Sequence, residues 1–203
     1  MKKYTIGLIT GALLAISAMM FMGSQNKNLG DITVNSITVL DDSNGGFIRT
    51  YNADGKKTVY LGAGENGNGH LETYNADGKK TVYLGTGNSG GGSLRTSNAD
   101  EKQIVFLGSS ESGSGHLNTY NANGIGTVHL GTNDEGSGHL RTFNADGKDT
   151  VYLGTSESGS GFILTNNKHE VRTGYFGTGK KEDGKATLFD RYGDAGWSAS
   201  GKQ

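Results

Sequence analysis

The side chains that could do chemistry in this chain recur at fixed intervals. Rings occupy Tyr60, Tyr83, Phe106, His129, Tyr152 and Tyr175, each 23 residues from the next. A second row carries His70, His116 and His139, with Phe47, Ser93 and Phe162 at the same position in the other copies. Aromatic faces at regular spacing suit stacking on a polymeric sugar, so Tyr60, Tyr83, Phe106, Tyr152 and Tyr175 form a candidate ligand row for a surface polysaccharide. Cross-strand packing against leucine is the plainer expectation for the same row. The histidines suggest a metal ladder, but a metal site does not tolerate phenylalanine and serine at its ligand positions, so no metal is expected. Asp41-Asp-Ser-Asn-Gly-Gly46 gathers the residue types of a calcium loop without the alternating acidic spacing, and reads as a turn. Other serines, histidines and acids fall singly in loops, with no nucleophile beside a base; neither catalysis nor a cofactor is expected.

The spacing comes from a tandem repeat. Gly46, Gly69, Gly92, Gly115, Gly138, Gly161 and Gly184 recur every 23 residues, which divides the chain into six copies over 46–183 and a divergent seventh over 184–203. Within the copy that starts at Gly138, Asn-Ala-Asp-Gly-Lys separates His-Leu-Arg-Thr-Phe from Thr-Val-Tyr-Leu. Asparagine opening a turn and glycine free to take positive φ predict a type I turn with a glycine bulge, hence a β-hairpin in every copy. The second connection is also short and glycine-rich, so successive hairpins should pair edge to edge as a meander. The competing arrangement is a parallel β-solenoid in which Asn52, Asn75, Asn98, Asn121, Asn144 and Asn167 stack as an amide ladder; the chain-reversing turn favours the meander. If Asn75 opposes Lys79, Thr73 faces Thr81, Leu71 faces Tyr83, Glu72 faces Val82 and His70 faces Leu84. That register divides the apolar residues between both faces. The expected fold is therefore all-β, with tandem hairpins forming an elongated single-layer sheet, a β-solenoid or a fibrous β-stalk. Since one layer encloses no core, a homo-oligomer is expected, with a trimer as the preferred version. Six hairpins at ~4.7 Å per strand give a body about 56 Å long.

Comparison among the copies separates scaffold from variable positions. Thr50, Thr73, Thr96, Thr119, Thr142 and Thr165 never change, nor do Gly62, Gly85, Gly108, Gly131, Gly154 and Gly177. Threonine suits a pleated surface, and these glycines read as freeing the backbone of the connection. Leu61, Leu84, Leu107, Leu130, Leu153 and Phe176 form a packing row, while Arg49, Glu72, Arg95, Asn118, Arg141 and Leu164 vary freely and read as solvent-facing. The seventh copy brings in the single tryptophan, Trp197, and reads as a cap over the sheet edge. Its alternative is a contact tip made of Phe189, Arg191, Tyr192 and Trp197. The period, with Gly67-x-Gly69, Asp77-Gly78 and Tyr83-Leu-Gly85 in that order, is similar to the MORN repeat, a β-hairpin repeat of the same length. The strands beside the turn are longer here and the repeats lack the family's tryptophan, so the resemblance implies hairpin physics and no function.

Composition excludes several classes of function. A hydrophobic fraction of 33% with 36 glycines and no proline cannot enclose a thick apolar core. The formal charge of -1, spread without blocks, argues against nucleic acid. No cysteine is present, which removes disulfides, thiolate sites and attachment of lipid through an N-terminal cysteine. Lys2 and Lys3 precede an uncharged run from Tyr4 to Met22, roughly 28 Å long as a helix and close to the hydrocarbon thickness of a bilayer. Residues 1–22 are therefore expected to be a hydrophobic helix serving as a signal-anchor, with a cleaved signal peptide as the alternative. Either way the lysines stay cytoplasmic and the repeats become extracytoplasmic, periplasmic or on the cell surface. Residues 23–45 read as a neck, with strand expected in Asp31–Leu40 from its β-branched residues.

Overall fold

The computed structural model describes residues 4, 10–17, 33–40, 45–87, 90–133 and 135–201. The chain divides into two units, Met1–Thr38 and Val39–Gln203. In the first, residues 10–17 form a short helix in which Ser17 Oγ donates to the Leu13 carbonyl at 2.9 Å. Among the described residues no helix is long and apolar enough to cross a membrane. Much of the expected anchor and of the 23–45 neck lies outside the described residues, as do Asp41 to Asn44 of the turn before Gly46. The strand expected in the neck is absent from residues 33–40, which are exposed and unpaired as a ladder. β-branched composition favours a pleated surface only where a partner strand supplies one.

The second unit is one antiparallel sheet of fourteen strands in strict sequence order. Its strands are β1 (Phe47–Tyr51), β2 (Lys57–Ala63), β3 (Gly69–Tyr74), β4 (Lys80–Thr86), β5 (Gly92–Ser97), β6 (Gln103–Ser109) and β7 (Gly115–Tyr120), followed by β8 (Gly126–Thr132), β9 (Gly138–Phe143), β10 (Asp149–Thr155), β11 (Gly161–Asn166), β12 (Arg172–Thr178), β13 (Gly184–Phe189) and β14 (Ala195–Ser200). The predicted meander is correct. A parallel coil is set aside, because every pairing is antiparallel and only alternate strands carry like residues. The sheet does not close, and β1 and β14 are its edges.

Every connection is closed by the same pair of backbone hydrogen bonds around a residue of positive φ, the pattern of a type I turn with a glycine-type bulge. At the first, the Gly55 amide donates to the Asn52 carbonyl at 3.0 Å and the Asn52 amide to the Lys56 carbonyl at 2.9 Å. Asn52 Oδ1 accepts from the Asp54 and Lys56 amides, which is why asparagine opens this turn in the first six copies, and Asp190 Oδ1 does the same in the seventh. Its Nδ2 reaches the Ala76 carbonyl of the next turn on the same edge, at 3.3 Å, as Asn167 Nδ2 reaches the Arg191 carbonyl at 3.1 Å. Asn98 Nδ2 reaches the Ala122 carbonyl in the same way, at 3.4 Å, so these asparagines link to the next turn on their edge through its backbone.

The expected register is off by one. Tyr74 does oppose Lys80, but a second bulge follows: Thr73 pairs with Val82, Glu72 with Tyr83, Leu71 with Leu84 and His70 with Gly85. The extra residue is Thr81, whose hydroxyl contacts the Thr73 hydroxyl at 2.9 Å and donates to its carbonyl at 3.2 Å. The same slip recurs in each hairpin, as between Thr119 and Tyr120. One residue of slip changes which face every side chain occupies. The apolar residues are therefore sorted differently from the expectation, with the leucine row gathered on one face and the aromatic rings, with Leu164, on the other. Leucines paired as Leu61–Leu71, Leu84–Leu94 and Leu107–Leu117 line one face with valines and threonines, and the rings and strand charges line the other. The single layer leaves little buried: Tyr60, at 8% exposure, is the one buried hydrophobic residue among those described.

Candidate functional site

The bulged register brings the tyrosine and histidine rows onto adjacent strands of one face, where they interleave. Phe47, Tyr60, His70 and Tyr83 form one stack, and Phe106, His116, His129, His139, Tyr152, Phe162 and Tyr175 another. Neighbouring centroids lie 4.8 to 6.3 Å apart with interplanar angles of 5° to 26°. At these distances offset stacking is favourable. Ser93 interrupts the series, and the Arg95 guanidinium lies in the gap, 5.7 Å from the Tyr83 centroid and 5.4 Å from that of Phe106. The tyrosine hydroxyls fold back on the sheet: Tyr60, Tyr83 and Tyr175 donate to the carbonyls of Ala63, Thr86 and Thr178 at 2.5, 2.8 and 2.6 Å.

Beneath the rings lies the invariant glycine row. Gly62, Gly85, Gly108, Gly131, Gly154 and Gly177 are inside strands and none has positive φ, so the expectation that they free a connection is corrected. Each leaves room for the side chain across from it. A Cβ on Gly62 would sit 2.6 Å from Phe47 Cβ, and one on Gly177 2.6 Å from Phe162 Cβ.

Glu72, expected to face solvent, is only 8% exposed. Placed between Tyr60 and Tyr83 by the bulge, its carboxylate receives the Lys80 ammonium and the Tyr74 hydroxyl, with Lys57 Nζ and His70 Nε2 each at 3.8 Å. Burial opposes ionisation here, yet the hydrogen bonds from Lys80 and Tyr74 and the nearby cations hold the carboxyl below its usual range. Tyr74 is pushed up by burial and by the carboxylate it serves. A hollow of about 1010 Å³ borders this cluster, lined by Arg49, Lys57, Tyr60, His70 and Glu72 among others. Its cations are engaged: Arg49 lies 3.9 Å from the Phe47 centroid and Lys57 4.3 Å from that of Tyr74. The arrangement pairs the buried carboxylate with cations and a hydroxyl of the same face.

The histidine stretch is the other electrostatic feature. His129 Nδ1 contacts Asn118 Oδ1 at 2.6 Å, while His139 Nδ1 is buried with no hydrogen-bond partner. Arg141 beside them is paired to Asp149. Both imidazoles sit below the ordinary histidine range, His129 through burial and then the proximity of His139, His116 and Arg141, His139 through burial and Arg141. Among the described residues no group of three or more His, Cys, Asp or Glu is placed to hold a metal; stacked parallel imidazoles do not converge on one point. In the window between the depressed folded pKa and about 6.5 the folded sheet binds fewer protons than the unfolded chain. Stability should accordingly be full above that value, fall as pH drops towards the depressed folded pKa, and lose nothing more from these groups below it. Thermal melts from about pH 7.5 to about pH 5 should show the midpoint falling, and the His129→Tyr/His139→Phe double variant should flatten that dependence.

The remaining candidates do not converge. Trp197 pairs with Leu188 on the leucine face, Phe189 lies on the ring face opposite Ala195, and Arg191 and Tyr192 are in the final turn. In the candidate ligand row, ring faces are turned to neighbouring rings, so edges are what the row presents to solvent. Comparison of the chain with protein-family models and with curated proteins finds no match.

Proposed function

We infer that the chain is a membrane-tethered extracytoplasmic structural repeat protein, a stalk or spacer that self-associates. The observation that carries this reading is that the recurrent chemical side chains are used on the sheet itself. Ring faces meet rings, tyrosine hydroxyls bond their own strand, and Glu72, the most buried acid among the described residues, is paired with Lys80 and hydrogen-bonded by Tyr74. Such a sheet holds a fixed breadth of roughly 60 Å, at ~4.8 Å per strand, and extends by adding copies. Lys2 and Lys3 ahead of the apolar run support a tether with the repeats beyond the bilayer.

Fractionation of cells expressing the full chain with a C-terminal epitope tests the tether. The chain is expected in the membrane fraction, resistant to high salt and released by detergent, with the epitope removed by protease added outside the cytoplasmic membrane. A chain that stays soluble, or an epitope that survives the protease until the cells are lysed, would overturn the reading.

A further inference from the structure

We propose that the leucine face is covered by the leucine face of another copy of this chain, so that the stalk is built of single-layer sheets packed face to face. This rests on the self-association in the reading above and adds the surface and its occupant. From β1 to β12 every strand contributes one large apolar side chain to a single central row, beginning Ile48, Leu61, Leu71, Leu84 and ending Ile163, Phe176. Alternate members are markedly open: Leu61, Leu84, Leu107, Leu130 and Leu153 are 46% to 50% exposed and Phe176 is 67% exposed. The row is flanked by valine and threonine on one side and by small residues on the other, and it carries no charged side chain on any strand. Lys57, Glu72, Lys80, Arg95, Arg141 and Asp149 all contact the ring face.

Size and period identify the occupant. Twelve strands at ~4.8 Å, each contributing about 16 Å of its length, present roughly 900 Å², which matches the ~800 Å² per partner of a stable interface and exceeds the apolar patch a monomer ordinarily exposes. A partner that covers this row along its whole length needs an uncharged apolar row with the same inter-strand spacing. A second copy has one by construction of the repeat, and two such faces pack about 10 Å apart as in a β-sandwich. A membrane surface or an acidic partner would call for cations around the patch, and those lie on the opposite face.

The test uses the full chain in detergent, with mass measured by sedimentation and light scattering. The wild type is expected at two or three times the chain mass of 21.3 kDa, and either multiple supports the proposal. Leu107→Glu/Leu130→Glu should fall to a single chain with its strand circular-dichroism signal retained, since both side chains are already half in solvent. The milder Leu107→Thr/Leu130→Thr, which substitutes a residue already common on this face, should raise the dissociation constant at least tenfold. Leu164→Glu, the same chemistry on the ring face, should keep the wild-type mass. Trp197, 56% exposed and on the leucine face, should shift its emission to the red when the particle dissociates. A wild-type particle of one chain, or equal behaviour of the two glutamate variants, would overturn the proposal. So would a tryptophan shift produced only by added lipid vesicles. Membrane partition of the same proteins is read separately, so loss of the tether and loss of the interface are distinguishable.

Discussion

Gly131→Val is expected to destabilise the sheet by about 3 kcal/mol, while Gly115→Ala, in the partner strand of the same hairpin, leaves it unchanged or slightly more stable. Both glycines lie in strands and neither has positive φ, so backbone freedom does not distinguish them. What differs is the space above them. A Cβ at Gly131 would lie 2.7 Å from His116 Cβ, 3.1 Å from His129 Nε2 and 3.3 Å from the Gly115 carbonyl oxygen. The closest of these atoms is held by the backbone of the paired strand and cannot swing away, so relief requires the strands to part or the ring stack to break. At Gly115 nothing lies within 4 Å. Replacing a strand glycine gains roughly 0.5–1 kcal/mol through the unfolded chain, and this gain governs at Gly115. At Gly131 overpacking, typically ~1–3 kcal/mol and larger for a branched side chain, outweighs it. Urea midpoints of the two variants, together with hydrogen exchange of the β7 and β8 amides, measure the contrast. Equal effects at the two positions would show that the glycine row does not serve the rings.

That row also shows where the sequence could be read and where it could not. The turns were legible because their determinants are local: Asn75 supplies Oδ1 to two amides and Gly78 the positive φ, all within five residues. Hairpins and meander followed from them. Register was not legible from the turn alone, because a second bulge at Thr81 inserts one residue beyond the Tyr74–Lys80 pair. A signal for it exists in the chain. Leu71 stands four residues before Asn75 and Leu84 five after Lys79, so placing both leucines on one face requires one extra residue in the second strand. Once that residue is in place, Glu72 moves from the leucine face to a seat between two tyrosines, His70 comes opposite Gly85, and the two ring rows interleave. The burial of Glu72 was thus hidden by the register. The strand expected in the neck does not form over 33–40 for a different reason: the β-branched residues there have strand propensity but no ladder, and propensity without a partner does not make a strand.

Substituting glycine for Glu101, Glu170 and Glu182 together is expected to raise the melting midpoint by about 4–8 °C. In each connection the fourth turn residue takes the left-handed conformation. It is glycine in most, but Glu101, Glu170 and Glu182 adopt φ of 63°, 62° and 65° in its place. The hydrogen bonds are those of the glycine turns: the Glu101 amide donates to the Asn98 carbonyl at 3.0 Å, as the Gly147 amide does to Asn144 at 3.0 Å. The geometry is therefore imposed by the asparagine or glycine that opens the turn and by the strands it joins, and the glutamate accommodates it with its side chain exposed. An L-residue held there costs ~1–2 kcal/mol, of which glycine returns roughly 0.5–1 through its greater freedom when unfolded. The net gain is about 0.5–1 kcal/mol per site, close to 2 kcal/mol for three turns that share no contacts and add independently. At ~2–4 °C per kcal/mol for a chain of this size, that produces the stated shift at fixed protein concentration. Gly147→Glu should move the midpoint the other way by a single site's worth. Because stability in a repeat array is a sum of local terms, amide protection should rise mainly in β5–β6 and β11–β13, beside the altered turns. A midpoint that does not move, with protection unchanged there, would mean that the bulge register of the strands sets the turn conformation without strain, and the glycine preference in the other copies would need another cause.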